Sequence, residues 1–203
     1  MLIEIHPDNP DTRKINQVVE TLRNGGVIIY PTDTVYGMGC DIYNARAVEK
    51  IARLKKMRVD KANFSFICKD LSHISDFTRH FNTPTYKLLK RNLPGPFTFL
   101  LPANNQIPKL FKNKKKTVGI RIPNHNIPLA IVEALGNPLL TTSIHDSDEI
   151  IDYTTDPDII HDTFEKLVDI VISSGYGHNI PSTIVDCTNG EPVITREGLG
   201  VLI

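Results

Sequence analysis

The sequence predicts an α/β protein that forms a single domain. Short apolar segments alternate with amphipathic segments along the chain, which is typical of strands and helices packed in layers. The 203 residues, 40% of them hydrophobic, suffice for one substantial core. No apolar run approaches the roughly 18 residues of a membrane span, and the N-terminus lacks the build of a signal peptide. We therefore expect one domain over residues 1–203, located in the cytoplasm and not in a membrane.

The predicted helices follow from capping residues and from apolar positions spaced three or four residues apart. Asp11 caps the first helix, whose apolar residues share one face, and Gly25 ends it. Asp156 and Pro157 start the last helix, because proline fits the first helical turn. The predicted helices cover residues 12–24, 45–54, 85–93, 127–135 and 157–165.

The predicted strands are short apolar runs bounded by proline, glycine or polar residues. In chain order they cover residues 2–6, 27–30, 64–68, 97–101, 117–122, 139–143, 167–172, 183–186 and 193–196. Polar loops that could carry function lie at 32–39, 55–61, 112–116 and 144–155.

Charge is divided unevenly along the chain although the formal net charge is zero. Residues 1–125 hold 21 Lys and Arg against 10 Asp and Glu, whereas the remainder holds 2 against 13. The basic portion indicates an anionic partner such as polyphosphate or RNA. The alternative is that the two portions fold together and neutralise each other. The three cysteines are scattered without a CxxC pair, which argues against a disulfide framework or a zinc site.

Standard phosphate-binding and hydrolase motifs are absent from the sequence. There is no GxxxxGK[ST] loop, no GxGxxG after a strand, no HExxH and no GxSxG, so side chains must hold any nucleotide. Residues 31–37, PTDTVYG, follow a strand and offer the hydroxyls of Thr32 and Thr34 beside glycine, which suits a small polar substrate. The alternative is a turn that the threonine side chains merely stabilise.

Six motifs occur in a fixed order along most of the chain. They are PTDTVYG (31–37), KMR (56–58), PGPFT (94–98), TVGIRIP (117–123), PSTIVD (181–186) and REG (196–198). In order and spacing they resemble the YrdC-like family, and the opening IHPDNP (5–10) resembles its YciO branch. The resemblance implies a twisted mixed sheet with flanking helices that encloses a basic cavity.

The resemblance also implies an enzyme, an L-threonylcarbamoyladenylate synthase, which is a nucleotidyltransferase. Such enzymes make threonylcarbamoyl-AMP from L-threonine, bicarbonate and ATP, with Mg²⁺ accompanying the ATP, for the threonylcarbamoyladenosine modification of tRNA. The carbamate oxygen attacks the α-phosphate, and pyrophosphate leaves. This transfer needs positioning and positive charge, so we expect neither a covalent nucleophile nor a structural metal held by the protein. Proteins of tRNA modification are implied partners.

The family's binding roles can be carried over to matching residues of this sequence. Those that resemble threonine contacts are Thr34, Arg121, Ser143 and Ser182. Those that resemble ATP contacts are Lys56, Arg58, Thr117, His145 and Arg196. Arginine suits a carboxylate or phosphate because its guanidinium can bind two oxygens at once. Each residue could instead be an outward-facing polar side chain. If Lys55 takes the lysine role, Met57 stands where the arginine belongs.

The sequence departs from the family pattern at two places. The synthases carry Ser-x-Asn where this chain has Ser143-Ile144-His145, and histidine cannot offer the paired donor and acceptor of an amide. An acidic stretch follows at 146–152, and acid repels polyphosphate unless Mg²⁺ intervenes. Phe66 stands where many synthases place a histidine near threonine.

These departures support a second hypothesis, a non-catalytic or weakly active paralogue that binds double-stranded RNA or tRNA through the basic cavity. Such binding would depend strongly on salt and not on threonine. The lysine-rich loop at 112–116, with Lys112, Lys114, Lys115 and Lys116, is a possible phosphate-contacting patch, although such loops are more often plain surface. The sequence contains no RNA-binding motif with interleaved aromatic residues.

Overall fold

The computed structural model describes residues 1–59, 62, 64–111, 116–144 and 155–203. Within them, ten strands form one sheet and six α-helices flank it. The strands are β1 (Leu2–Glu4), β2 (Ile28–Tyr30), β3 (Gly37–Asp41), β4 (Ser65–Ile67), β5 (Phe97–Pro102), β6 (Thr117–Arg121), β7 (Leu139–Ser143), β8 (Ile170–Ser173), β9 (Thr183–Asp186) and β10 (Val193–Arg196). The helices are α1 (Thr12–Arg23), α2 (Ala45–Leu54), α3 (Leu71–Ser75), α4 (Thr83–Asn92), α5 (Asn126–Leu135) and α6 (Pro157–Phe164).

The sheet runs in the order β1-β8-β2-β3-β7-β4-β6-β5-β9-β10 and mixes parallel with antiparallel neighbours. Strand β4 lies parallel to β6, whereas β5 lies antiparallel to β6 and β3 lies antiparallel to β7. The predicted fold class, a mixed α/β sheet with flanking helices, is confirmed. None of the helices in the described ranges is long and apolar enough to cross a membrane.

Helix ends follow the capping signals of the sequence. The Asp11 side chain accepts hydrogen bonds from the backbone N–H groups of Arg13 and Lys14, so α1 begins as predicted. Helix α4 begins at Thr83, two residues earlier than predicted, because the Asn82 side chain caps it and proline is tolerated in the first turn.

Two elements escaped prediction. Strand β3 has the sequence GMGCD, which is poor in the β-branched residues that signal a strand, yet it pairs with β2 on one side and β7 on the other. Helix α3 has only five residues, too few for an apolar period to be recognised.

The central strands separate an apolar face of the sheet from a polar one, because successive side chains of a strand alternate between two sides. On one side Phe66 of β4 pairs with Ile120 of β6, and both belong to the larger hydrophobic core. On the other side Ser65 pairs with Gly119 of β6 and with Thr141 of β7. At these positions the polar face carries hydroxyl groups and bare backbone.

Helices α1 and α5 cover only one part of the polar face. They pack against each other and bury apolar side chains of β1, β2 and β8, with Tyr30 and Ile67 in the same core. The same face of β5, β6 and β9 lines a cavity instead. The open part of the sheet thus begins where the layer of α1 and α5 ends.

Candidate active site

The cavity over β5, β6 and β9 has a volume of about 740 Å³. Its walls include Thr98, Thr117, Gly119 and Asp186, all from the polar face of the sheet. A β-carbon at Gly119 would lie 2.6 Å from Ser65 Oγ, so glycine keeps the floor of the cavity open there. The space is large enough for a nucleotide with a small second substrate.

The PTDTVYG loop is held by its own threonines. Thr32 Oγ1 accepts the Thr34 backbone N–H at 3.0 Å and donates to the Val35 carbonyl at 2.8 Å. Both threonines are buried, and Thr34 is wholly inaccessible to solvent. The hydroxyl of Thr32 therefore stabilises the turn, and the Thr34 hydroxyl is positioned for a contact outside the loop.

Arg121, at the end of β6, makes that contact. Its Nη2 donates to Thr34 Oγ1 at 3.0 Å and to Asp33 Oδ1 at 3.0 Å, and Asp33 Oδ2 accepts the Asn124 backbone N–H. The ion pair is buried, with 9% of each side chain exposed. Among the described residues, Arg121 Nε finds no hydrogen-bond partner. A buried donor without a partner is costly, so this guanidinium has unused capacity for an anionic group.

Ser182 lies beside the same end of the cavity, before β9. Its hydroxyl is 2.8 Å from Thr98 Oγ1 of β5, and Arg196 of β10 donates from Nη2 to the Ser182 carbonyl at 2.8 Å. The register that pairs Phe99 with Ile120 places Thr98 next to Arg121 on the polar face. We call Thr34, Arg121, Thr98 and Ser182 the closed end; of these four, Thr98 lines the cavity, and the other three adjoin it through their contacts with Thr98 and with one another.

Thr117 lies at the opposite end of β6, about 13 Å from Arg121 at the usual rise of a strand. Lys116 and Arg79 line the cavity near it, and both are exposed. We call Arg79, Lys116 and Thr117 the open end. Of the residues predicted to contact ATP, Thr117 lies at the open end, whereas Arg196 lies beside Ser182. The assignment of these residues to threonine or to ATP stays a prediction.

The predicted Lys-x-Arg pair lies in the segment that follows α2. Lys56 and Arg58 are exposed, and Lys56 has a left-handed backbone with φ of 52°. Lys55, the alternative for the lysine role, is buried with 7% exposed. The segment leads to Ala62 and Phe64, which line the cavity. The assignment of this pair stays a prediction, as does the choice between Lys55 and Lys56.

Two other predicted contacts lie on β7 and just after it. Ser143 pairs with Gly37 at the end of the PTDTVYG motif and is half-buried. His145 lies outside the described residues, as do the acidic stretch at 146–152 and Lys112, Lys114 and Lys115.

Tyr30 and His125 lie beside the closed end, and burial shifts the pKa of each side chain. Burial raises the pKa of Tyr30, although its hydroxyl donates to Thr141 Oγ1 at 2.6 Å, so the phenol stays neutral beneath the PTDTVYG loop. Burial lowers the pKa of His125, against the opposing effect of the Asp33 and Asp8 carboxylates. His125 Nδ1 accepts the Ile127 backbone N–H at 3.3 Å and so caps α5 in its neutral form.

Comparison with known proteins identifies the family. The sequence model of the Sua5/YciO/YrdC family, which is described as telomere recombination, matches residues 20–198. The chain belongs to this family. It is 43% identical over 198 residues to the uncharacterized protein YciO from Escherichia coli, covering 97% of this chain and 94% of that protein. It is 40% identical over 131 residues to a threonylcarbamoyl-AMP synthase from Saccharophagus degradans, covering 64% of this chain and 68% of the synthase.

Solved structures of the Sua5/YciO/YrdC family share the fold. The crystal structure of E. coli YciO matches with a TM-score of 0.90 at 42% identity, over 99% of this chain and 97% of that chain. The structure of P. abyssi Sua5 complexed with L-threonine matches with a TM-score of 0.87 at 25% identity. That match covers 98% of this chain and 57% of the Sua5 chain. The predicted resemblance to the YrdC-like family and its YciO branch is confirmed.

The surroundings of Phe66 differ from those of the closed end. Phe66 does not border the closed end, because its side chain points to the apolar face and packs edge-on against Phe77 and Phe111. The residue of β4 that pairs with Arg121 on the polar face is Ile67. Successive side chains of a strand face opposite sides of the sheet, so Phe66 and Ile67 lie on different faces. The correspondence of Phe66 to the histidine of the synthases stays a prediction.

One residue of the closed end, Thr98, and one residue that contacts Arg121 of that end, Asp33, were overlooked in the sequence although both stand inside family motifs. Asp33 is the acidic residue of PTDTVYG, and it pairs with Arg121. Thr98 is the last residue of PGPFT, and it contacts Ser182. Their position in those motifs was the available signal.

Proposed function

We propose that this protein is a threonylcarbamoyl-AMP synthase-like nucleotidyltransferase that uses ATP, L-threonine and bicarbonate for the formation of threonylcarbamoyladenosine in tRNA. The observation that carries the proposal is the closed end, where four buried polar side chains from distant parts of the chain meet beside a cavity of nucleotide size. Family membership supports it, since relatives at 30–40% identity are named threonylcarbamoyl-AMP synthases.

L-threonine is proposed to bind at the closed end. The Sua5 relative of known structure is complexed with L-threonine, which supports this substrate. Arg121 has an Nε donor to offer to a carboxylate, while the hydroxyls of Thr34 and Ser182 can contact the rest of the amino acid. Ser143 is proposed as a further contact from β7.

ATP is proposed to lie toward the open end, where Thr117 lines the cavity. Lys116 and Arg79 supply positive charge there, and Lys56, Arg58 and His145 are further predicted contacts. Arg196, the remaining predicted ATP contact, lies beside Ser182 at the closed end. Mg²⁺ bound to ATP would neutralise phosphate charge, and the carboxylate of Asp186 on the cavity wall fits as its protein ligand. In the described ranges no group of three or more His, Cys, Asp or Glu side chains could hold a metal by itself.

The chemistry assigned to this arrangement is positional and electrostatic. The threonine amine reacts with bicarbonate to give a carbamate and water. A carbamate oxygen then attacks the α-phosphorus of ATP, the bond from that phosphorus to the β-phosphate oxygen breaks, and pyrophosphate leaves. The protein's share is to align the two substrates and to stabilise the charge that moves to pyrophosphate. The two-ended cavity suits an in-line arrangement of this kind.

Pyrophosphate release tests the proposal. The purified chain is incubated with ATP, L-threonine, bicarbonate and Mg²⁺, and pyrophosphate is measured with and without threonine. We expect release that requires threonine and bicarbonate together. Absence of threonine-dependent release, even with enzyme near substrate concentration, would contradict the proposal. Salt-sensitive binding of double-stranded RNA or tRNA by the same inactive preparation would then favour the hypothesis of a non-catalytic paralogue.

A further inference from the structure

A second cavity of about 640 Å³ lies beside the candidate active site. Arg79 belongs to the walls of both cavities, and the second one is lined further by His80, Phe81, Thr83 and Tyr86. None of these four residues lines the first cavity. The second cavity is therefore a separate candidate binding site that shares Arg79 with the first.

Arg79 is anchored in a way that leaves it available to an anion. Its backbone N–H donates to the Pro102 carbonyl at 2.8 Å, and its Nε donates to the Ala103 carbonyl at 3.2 Å. No carboxylate in the described part of the chain forms an ion pair with it. The bond through Nε orients the guanidinium, while its terminal nitrogens can bind phosphate oxygens.

Aromatic side chains complement this cation. Tyr86 is 44% exposed although it lies on a wall of the cavity, and Phe81 is half-buried in the same wall. An exposed aromatic ring such as that of Tyr86, in a cavity that Arg79 also lines, forms a platform on which a nucleic acid base can stack, since every base presents a π face. Arg79 and Tyr86 together suit a ligand in which each repeating unit carries one aromatic base and one phosphate.

Positive charge continues from this cavity along α4. Thr83, Tyr86 and Lys90 follow one another at spacings of three and four residues, so they share one side of the helix, and Lys87 is next to Tyr86 in sequence. Residues 77–92 hold four Lys and Arg and no Asp or Glu. A mononucleotide would end at the cavity, whereas a strand of nucleic acid would also meet these lysines.

We propose that the second cavity and the exposed side of α4 bind single-stranded nucleic acid. Arg79 contacts a phosphate, Tyr86 stacks on the neighbouring base, and Lys87 and Lys90 contact the phosphates that follow. A duplex cannot use this site, because its bases are stacked inside the helix and do not reach Tyr86. The proposal does not depend on the synthase reaction, and it differs from duplex binding through the first cavity.

The test measures binding of a fluorescein-labelled uridine dodecamer by fluorescence anisotropy at several salt concentrations. We expect Tyr86→Ala to weaken binding about tenfold, because it removes a stacking partner, and Tyr86→Phe to stay within about twofold of the parent. Lys90→Ala is expected to make the negative slope of log K against log salt less steep by about 0.7, which corresponds to the loss of one phosphate contact. The matched control is Lys166→Ala, which removes an exposed lysine beyond α6 and should leave the slope within about 0.2 of the parent.

Three results would overturn the proposal. Equal weakening by Lys166→Ala and Lys90→Ala would show general charge attraction. Unchanged affinity of Tyr86→Ala for the dodecamer would show that no base stacks on Tyr86. Equal competition by a duplex of the same length would show that the site does not require an unpaired strand. Urea unfolding of each variant verifies that it is folded. Threonine-dependent pyrophosphate release by Tyr86→Ala, equal to that of the parent, would separate this site from the proposed synthase site.

Discussion

The closed end and the open end of the cavity hold similar types of side chain in opposite surroundings. At the closed end Thr34, Thr98, Arg121 and Ser182 are each no more than 7% exposed. At the open end Lys116 and Arg79 are exposed, and Thr117 is half-buried. Buried polar groups must satisfy one another when the chain folds, so the closed end has one geometry before any ligand arrives. Exposed cations cost little to rearrange, which suits a flexible triphosphate.

Because of this difference in burial, we expect substitutions at the two ends to have different consequences. Loss of a group at the closed end leaves a buried partner unsatisfied and reduces stability as well as binding. Loss of a cation at the open end removes a charge that water already solvates, so it should affect ligand affinity alone.

The largest effect is expected from Arg121→Ala. It leaves the buried Asp33 carboxylate without its ion pair, and breaking such a pair typically costs about 3–5 kcal/mol of unfolding free energy. We also expect the threonine dependence of pyrophosphate release to be lost. Urea unfolding and the pyrophosphate assay measure the two effects.

The control for Arg121→Ala is the double variant Asp33→Asn/Arg121→Ala. Because it removes the unpaired charge, it should recover part of the stability while threonine dependence stays lost. Equal stability of Arg121→Ala and the parent protein would contradict the account of the closed end as a buried network.

A smaller effect is expected from Thr98→Val. The change removes the hydroxyl that lies 2.8 Å from Ser182 Oγ, and it should lower the unfolding free energy by about 1–2 kcal/mol. The affinity for threonine should fall as well, because the Ser182 hydroxyl loses its orientation. Thr98→Ser keeps the hydroxyl and is the matched control. If both variants bind threonine alike, the hydroxyl pair does not orient the substrate.

The pH dependence of stability probes the border of the closed end. Burial lowers the pKa of His125 below its ordinary value of 6.5, so the unfolded chain binds the proton more readily than the folded one. The contribution of His125 is complete above about pH 6.5 and is lost as the pH falls toward the lowered pKa. We therefore expect the unfolding free energy to decline in this range.

His125→Asn isolates that effect, since asparagine caps a helix well but does not titrate. The variant should retain stability near neutral pH and show a shallower decline in acid. Burial also lowers the pKa of His73, so His73 would account for any decline of the unfolding free energy that remains in this variant. An unchanged slope in His125→Asn would contradict the assignment.

The smallest effect on stability is expected at the open end, from Lys116→Gly. Lys116 has a left-handed backbone with φ of 52°, which glycine adopts without strain, so stability should change by less than about 0.5 kcal/mol. The affinity for ATP should fall several-fold, and the difference from the parent should shrink at high salt. A large decrease of the unfolding free energy in Lys116→Gly would contradict the proposed difference between the two ends.

The sequence supports different levels of prediction for different parts of this protein. Helix α1 could be placed from one capping aspartate and an apolar period, because both signals are local. Strand β3 could not, since its GMGCD sequence becomes a strand only through its neighbours β2 and β7. The motifs named Thr34, Arg121 and Ser182, which the structure places as buried residues next to Thr98 on the cavity wall, and their binding roles stay predictions. The motifs did not reveal that Asp33 pairs with Arg121, nor that Phe66 points away.

By itself, the sequence determined the α/β class, the family and the residue types available for anions and hydroxyl contacts, because these are written in short motifs and local periods. Only the tertiary structure decided which side of the sheet each residue occupies, that the cavity has a buried and an exposed end, and that Arg79 joins a second cavity. The physical reason is strand pairing. Neighbours in this sheet come from distant parts of the chain, and a register shift of one residue exchanges the two faces.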